Sequence, residues 1–250
     1  MRQIKTEAVI LDTVDVFDAD RSLLLFTEEL GKLRARARGV RKPTSRLGGH
    51  LLSYLPVRCE LVAGASGFLI VQAQLGTAAD AVYPDNPLIF LQQASTIAEA
   101  VDKLFIDQEP HPEIYGGLTY TMGRLLDRCV QGDLEGIVAI PAEFLLKCLV
   151  ELGYQPQLYH CVVTGQAITA DFTAWSTSLG GVLSEAGYRE VADRQMVQSK
   201  SIIALREFAK PTFMAERLNM PDGVAQEVFK LIFEYLQYQI GKPLKSLSNH

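Results

Sequence analysis

Charge and apolarity alternate residue by residue in Lys32-Leu33-Arg34-Ala35-Arg36-Ala37-Arg38-Gly39. A period of two is typical of a β-strand, because successive side chains of a strand point to opposite faces. The helix preference of Ala and Arg is overruled by this alternation. Four cations on one strand face repel each other, and a polyanion would neutralise them. We therefore predict a functional basic strand; the alternative is an edge strand that is merely soluble.

The distribution of charge supports a localised anion site. The chain has 250 residues, a formal net charge of -5 and 48% hydrophobic residues, which is ordinary globular composition. Eight of its 24 Lys and Arg residues lie between Glu29 and Glu60, where no acidic residue occurs. A mildly acidic chain with one concentrated basic segment indicates a polyanion-binding surface, although a solvated charge run is the common alternative.

Cysteine spacing and hydropathy predict a reducing compartment. The four cysteines are scattered without a C-x-x-C pair, which favours small buried thiols over disulfides or a metal site. No apolar run approaches the ~18 residues of a membrane span, and the first residues lack the apolar core of a signal peptide. We expect a cytoplasmic protein with no membrane contact.

The first 80 residues predict a small β-barrel. Four further β-rich runs accompany the basic strand: Thr6 to Leu11, Ser22 to Thr27, Leu55 to Val62 and Phe68 to Leu75. Five short strands in this length fit an OB-type barrel, which binds single-stranded nucleic acid through a charged groove and stacking aromatic residues. Aromatic residues are sparse here, and only Phe17 and Tyr54 lie near predicted loops as stacking candidates.

The predicted nucleic-acid contacts are the cations of the basic strand and of the loop that follows it: Lys32, Arg34, Arg36, Arg38, Arg41, Lys42 and Arg46. The three strand arginines are expected to contact the ligand directly, and the loop cations are expected to clamp its backbone. About seven phosphate contacts would give single-strand binding a log-log salt slope near about -5.

Residues 81–250 predict a mainly helical domain. Asp85-Asn86-Pro87 is a helix start signal, with a capping residue before proline. Helical apolar spacing follows at 88–106, from Pro112 to Gly132, at 134–152, at 202–208 and at 224–240. The last of these carries an apolar stripe that predicts a core-facing helix. Short extended pieces occupy the region between Pro156 and about residue 190.

Signatures of catalysis are missing from the sequence. Neither G-x-G-x-x-G nor G-x-x-x-x-G-K-[ST] occurs. His160 and Cys161 are adjacent, and adjacent side chains of an extended chain point apart. Asp15, Asp18 and Asp20 lack calcium-loop spacing and indicate a solvated turn. We predict that the chain is not an enzyme and uses no cofactor or metal.

Three motifs, taken together, resemble the RecO family of bacterial recombination mediators. The first runs from Phe26 through Gly31-Lys32 into Ala37-Arg38-Gly39 and on to Gly48-Gly49. The second is Leu152-Gly153-Tyr154-Gln155-Pro156-Gln157-Leu158, and the third is Gly241-Lys242-Pro243-Leu244-Lys245-Ser246-Leu247. They follow the order of the family along nearly the whole chain.

The resemblance implies an N-terminal OB domain at 1–80 and a helical domain at 81–250. It also implies recombinational DNA repair: binding single- and double-stranded DNA, annealing complementary strands, and helping RecA replace single-strand binding protein (SSB). RecR and the SSB C-terminal tail are the implied partners. Candidate tail contacts are Lys200, Arg206 and Lys210, or Lys242 and Lys245.

Many members of the family carry a small zinc ribbon, here at about 156–195. This sequence retains the first cysteine, Cys161, but Thr164, Ser184 and Gly187 stand at the other three ligand positions. One thiolate cannot hold a structural zinc ion, which takes about four ligands. The resemblance therefore implies a degenerate, metal-free insertion, packed by apolar residues such as Phe172, Trp175 and Leu179.

Other classes of function stay open at the level of sequence. A general OB-fold module could bind single-stranded nucleic acid without annealing or loading activity. A hydrolase acting on nucleic acid, or a scaffold without salt-sensitive binding, are further alternatives.

Overall fold

The computed structural model describes residues 3–64, 67–76, 84, 87–169, 171–212 and 220–244. The described residues up to Gln131 form one compact unit, and those from Gly132 to Leu244 form a second. No helix in these ranges is both long enough and apolar enough to cross a bilayer.

The first unit begins with a closed five-stranded barrel, as predicted. Its strands are β1 (Gln3–Val16), β2 (Asp20–Thr27), β3 (Gly31–Ala37), β4 (Pro56–Gly64) and β5 (Gly67–Leu75). They close in the order β1-β2-β3-β5-β4. The pairing of β3 with β5 is parallel, whereas the other four pairings are antiparallel.

Alternation along the strands produces the barrel core. Leu33, Ala35 and Ala37 of β3 are buried beside apolar residues of β1 and β2. The tight turn between β2 and β3 is held by Thr27, whose hydroxyl accepts a hydrogen bond from the Leu30 N–H and donates to the Gly31 carbonyl. Gly31 adopts φ +65°, a conformation that side chains other than glycine's rarely take.

Two helices complete the first unit. They are α1 (Leu88–Leu104) and α2 (Pro112–Gln131), in agreement with the predicted helices and with Pro112 as a helix start. The predicted cap residues Asp85 and Asn86 lie outside the described residues. The connection between α1 and α2 packs against the start of β3, which matters for the charge on that strand.

The second unit is mainly helical, with α3 (Ala139–Glu151), α5 (Ser199–Phe208) and α6 (Asp222–Ile240). The predicted core-facing stripe is confirmed, because α6 buries Val224, Val228 and Leu236 among others. The helix expected from residue 134 begins only at Ala139. A turn precedes it, in which Gly136 adopts φ +63° and donates its N–H to Asp222 Oδ1 at 2.6 Å.

The insertion contains a three-stranded antiparallel sheet and a short helix. The strands are β6 (Ala174–Ser176), β7 (Gly181–Leu183) and β8 (Arg194–Met196), in the order β7-β6-β8, and α4 (Glu185–Glu190) follows β7. Trp175 is fully buried and Phe172 packs edge-on against Tyr188, so both pack the insertion as predicted. The same prediction is wrong for Leu179, which is 49% exposed at a turn.

Candidate nucleic-acid interface

The outward face of β3 presents the predicted arginines. Arg34 is exposed, Arg36 is half-buried, and Arg38 is exposed directly after the strand ends. Among the residues that the structure describes, neither Arg34 nor Arg38 forms an ion pair. Their guanidinium groups are therefore available to an external anion, while the intervening residues of the strand anchor it in the barrel core.

Lys32 departs from the expected exposed face. Its Nζ donates to the Asp102 carbonyl at 2.6 Å and lies 3.2 Å from carboxylate oxygens of both Asp102 and Asp107. The Gln108 N–H also donates to the Lys32 carbonyl at 2.7 Å. Only 8% of the lysine side chain is exposed. The last turn of α1, which carries Asp102, and the α1–α2 connection, which carries Asp107, cover this cation and leave it almost inaccessible to a phosphate.

The turn between β1 and β2 lies against the end of the basic strand. Both Nε and Nη2 of Arg36 approach Asp20 Oδ2, at 2.9 and 2.7 Å. Arg41 Nε lies 3.3 Å from Asp15 Oδ2, and the Arg41 N–H donates to the Ala19 carbonyl at 3.0 Å. The hairpin turn thus fixes two predicted contact residues in place and partly neutralises their charge.

Strand order explains why these carboxylates meet the arginines. In the antiparallel β2–β3 pair, Arg21 at the start of β2 lies opposite Ala37 at the end of β3. The Gly39 N–H donates to Asp20 Oδ1 at 2.8 Å. This hydrogen bond, together with Arg36 and Arg38, holds the pKa of Asp20 below its ordinary value, although burial opposes the shift.

The position of the three aspartates, near the end of β1, in the β1–β2 turn and at the start of β2, is a feature that motif analysis of the sequence missed. Asp15, Asp18 and Asp20 were predicted to form a solvated turn, and spacing alone indicates nothing more. The available signal was topological: consecutive strands in a meander bring the turn before the second strand beside the end of the third. That rule places the acidic turn next to Arg36 and Arg38.

The two remaining predicted contacts follow β3. Lys42 is exposed in the turn after the strand. Arg46 is also exposed, at a groove of about 850 Å³ that is lined mainly by β1, β4 and β5. Four carboxylates share this groove with Arg46: Glu7, Glu28, Glu29 and Glu60. Arg46 therefore stands in a mixed-charge surface, whereas the outward face of β3 is basic.

The two aromatic candidates differ in exposure. Phe17, in the β1–β2 turn, is 75% exposed, and the Arg36 guanidinium lies over its ring at 4.9 Å from the centroid. Tyr54 is half-buried, and burial together with the charge of Asp12 raises the pKa of its phenol. Only Phe17 offers an open ring beside the basic strand.

The insertion does not fit a zinc ion. Thr164 Oγ1 and Ser184 Oγ form a hydrogen bond at 3.2 Å, and the Thr164 N–H donates to Cys161 Sγ at 3.5 Å. A Cβ on Gly187 would lie 2.6 Å from that sulfur, so the backbone at Gly187 packs directly against the thiol. Burial raises the pKa of Cys161, but hydrogen bonds from Ser184 and Thr164 outweigh it and lower the pKa to about 6. A hydrogen-bonded cluster thus joins the two loops at the positions that correspond to the zinc ligands of other members of the family, in line with the metal-free insertion that the resemblance implies.

Comparison with known proteins covers both units. The family model described as "Recombination protein O N terminal" matches residues 1–76, and "Recombination protein O C terminal" matches residues 91–248. A Synechococcus elongatus protein named DNA repair protein RecO is 26% identical over 98% of this chain and 93% of its own. A Bifidobacterium longum subsp. infantis protein of the same name is 28% identical over 99% of this chain and 98% of its own. The motifs, the barrel and both family matches agree: the chain belongs to the RecO family.

Proposed function

We propose that this chain is a recombination mediator that binds single- and double-stranded DNA, anneals complementary strands and helps RecA replace SSB. Membership of the RecO family supports a role in recombinational DNA repair. The observation that carries the DNA-binding proposal is the outward face of β3, where Arg34 and Arg38 have no ion-pair partner among the described residues. The proposal involves no catalysis and no cofactor, and it places the protein at the nucleoid in the cytoplasm.

Charge screening is the proposed mechanism of annealing. Two DNA strands repel each other, and a row of cations on a rigid strand lowers the cost of their approach. Six of the seven predicted cations take part in this proposal: Arg34, Arg36, Arg38, Arg41, Lys42 and Arg46. Lys32 is left out because its charge is buried and paired. Up to six contacts give an expected log-log salt slope of about -4 on single strands.

The two parts of the chain have different proposed partners. The barrel domain, residues 1–80, contacts DNA, and the domain at 81–250 contacts RecR and the SSB tail. An acidic tail requires cations that are not already neutralised. In the second unit Lys200 is exposed on α5 and Lys242 is exposed after α6, whereas Lys245 lies outside the described residues.

The other two candidate tail contacts have partners within the unit. Arg206 donates through Nε and Nη2 to the Leu158 carbonyl at 2.9 and 2.7 Å, and Lys210 pairs with Glu207 at 2.6 Å. Arg206 holds the entry to the insertion, so replacing it would disturb the fold. A test of tail binding is therefore better made with Lys200→Glu and Lys242→Glu together, since both lysines are exposed.

The central test is annealing of complementary oligonucleotides that are already coated with cognate SSB. The test variant combines Arg34→Ala and Arg38→Ala, because neither arginine has an ion pair to lose among the described residues. The control combines Arg189→Ala and Lys230→Ala, which makes the same change in net charge at exposed i,i+4 pairs of the second unit. We expect the wild type and the control to anneal and the test variant to be strongly impaired.

Each alternative has its own outcome. A wild type that binds single strands but does not anneal them in the presence of SSB and RecR is a general OB-fold module. Equal annealing by the test variant and the control would show that the arginines of β3 are not needed for annealing. Metal-dependent loss of the oligonucleotide would indicate a hydrolase.

A further inference from the structure

Phe17 is the most exposed large apolar side chain among the described residues, at 75%. Single exposed apolar residues are common on protein surfaces and need no explanation by themselves. The position of this one is unusual, because it lies in the turn that packs against the end of the basic strand. Its ring borders the cations that are proposed to hold phosphates.

Arg36 fixes the ring from one side. The guanidinium carbon lies 4.9 Å from the ring centroid, and Asp20 anchors the same guanidinium through Nε and Nη2. An arginine stacked on an aromatic face and held by a carboxylate forms a stable backing for the ring. Arg36 covers one face of the ring, and Phe17 is 75% exposed, so the ring remains accessible to a ligand.

The backbone at Phe17 does not favour this residue. Its φ is +56°, in the left-handed region. Glycine and asparagine adopt this region readily, whereas a bulky aromatic residue rarely does. Neither local conformation nor burial accounts for the phenyl group here. Strained positions of this kind occur preferentially at binding sites.

We propose that Phe17 is a stacking platform for an unpaired nucleobase, and this inference rests on the proposed DNA-binding function. Every base has a π-face that stacks on an aromatic ring, so the contact selects single strands without selecting sequence. Arg34 and Arg38 lie on the same strand face as Arg36, where they meet the phosphates that flank the stacked base. Paired bases inside a duplex are not available for this contact.

The first test compares single-strand and duplex affinity of full-length variants. Phe17→Leu keeps an apolar side chain but removes the ring, and we expect about a tenfold loss of affinity for oligo(dT). Affinity for a duplex of equal length should not change. The control is Tyr120→Leu on α2. Tyr120 is also an exposed aromatic residue, and the guanidinium carbon of Arg124 lies 5.3 Å from its ring centroid. The control variant should bind both substrates like the wild type.

Phe17→Asn separates binding from folding. Asparagine suits the left-handed backbone, so this variant is expected to melt at a higher temperature than the wild type while losing single-strand affinity to the same degree as Phe17→Leu. A loss of affinity in a more stable protein cannot come from unfolding.

A direct signal comes from Phe17→Trp. The chain has one tryptophan, Trp175, which is fully buried in the second unit, so a new indole at position 17 supplies the solvent-accessible emission. Oligo(dT) is expected to quench this emission, and neither an abasic oligonucleotide nor a duplex is expected to do so. The abasic strand carries the same phosphates, which isolates the contribution of the base.

The outcomes are distinguishable. A wild type that binds no DNA overturns the proposed function and this inference with it. Wild-type affinity in Phe17→Leu, or quenching by the abasic strand, overturns the stacking platform alone. Equal losses on single strand and duplex would assign Phe17 to the placement of Arg36 and would also overturn it.

Discussion

At the scale of single residues, carboxylates set the charge of the interface. Asp15 lies 2.9 Å from Arg21 and 3.3 Å from Arg41, so one anion offsets part of the positive charge of two arginines. Such exposed pairs contribute little to stability, but a DNA phosphate has to compete with the carboxylate for the same guanidinium groups. Under the proposed function, Asp15 would therefore lower the affinity for DNA while it orients Arg41.

Asp15→Asn is expected to strengthen single-strand binding about two- to fivefold, the range of an exposed ion pair. The salt slope should become more negative by up to about one, because Arg41 gains a full phosphate contact. Titration of oligo(dT) between about 50 and 200 mM salt measures both quantities. Glu185→Gln is the matched control, since it removes an equal charge from an exposed pair with Arg189. Weaker binding by Asp15→Asn would show that orientation of Arg41 outweighs competition.

Asp20 gives stability a defined dependence on pH. In the folded protein, the Gly39 N–H and the nearby arginines lower the pKa of this carboxyl below its ordinary value of 3.8, although burial opposes the shift. At pH values above the ordinary pKa, the ionised carboxylate stabilises the fold. This stabilisation is lost as the pH falls below 3.8 and passes the lowered pKa of the folded protein. The difference in unfolding free energy between wild type and Asp20→Asn should therefore shrink below that pH. Urea denaturation of both proteins across the acid range measures it, and a constant difference would contradict the assignment.

At the scale of elements, Lys32 links β3 to the end of α1 and to the α1–α2 connection. Its ammonium is held by Asp102 and Asp107, and a Cβ on the neighbouring Gly31 would lie only 2.1 Å from the Glu109 carbonyl oxygen. The connection thus passes so close to the start of the strand that only glycine fits there. Fastening one end of β3 fixes the register of the arginines that follow.

Lys32→Met is expected to lower the free energy of unfolding by about 1–3 kcal/mol, because it removes the buried ammonium that bridges Asp102 and Asp107 and leaves Asp102 with the exposed Lys103 as its remaining cation. The salt slope of DNA binding should stay unchanged, since Lys32 does not meet phosphate. Arg34→Met is the opposite case and should alter stability little while making the slope less negative by about 0.7. Urea denaturation and salt titration of both variants provide the comparison. A less negative salt slope for Lys32→Met would show that Lys32 does contact DNA and would contradict this prediction.

Local sequence patterns were sufficient to predict the helices and strands but not the ion-pair partners of the charged residues. Period-two alternation predicted β3 and the inward position of Leu33, Ala35 and Ala37, because a barrel strand buries one face. The same alternation could not show that Lys32 is covered, since Asp102 lies 70 residues away in the chain. Exposure of Leu179 was missed for a related reason: apolar character does not reveal which residue of a turn faces solvent.

At the scale of the whole molecule, charge divides the chain into two kinds of surface. Residues up to 80 carry a small excess of cations, whereas the remainder carries the excess of acidic residues that makes the protein anionic. A polyanion is attracted to the first part and repelled by most of the second. Protein partners with local complementary charge are the better match for the second part, which supports separate proposed sites for DNA and for the SSB tail.

Separate sites predict separable defects. The Arg34→Ala, Arg38→Ala variant should lose annealing of both bare and SSB-coated strands, because both reactions require contact with phosphate. The Lys200→Glu, Lys242→Glu variant should anneal bare strands normally and fail only on coated strands, because it loses attraction for the acidic tail. Measuring both variants on both substrates, with circular dichroism to verify folding, completes the comparison. If the second variant is also defective on bare strands, cations of the second unit contribute to DNA binding, and the division of roles between the two parts of the chain is wrong.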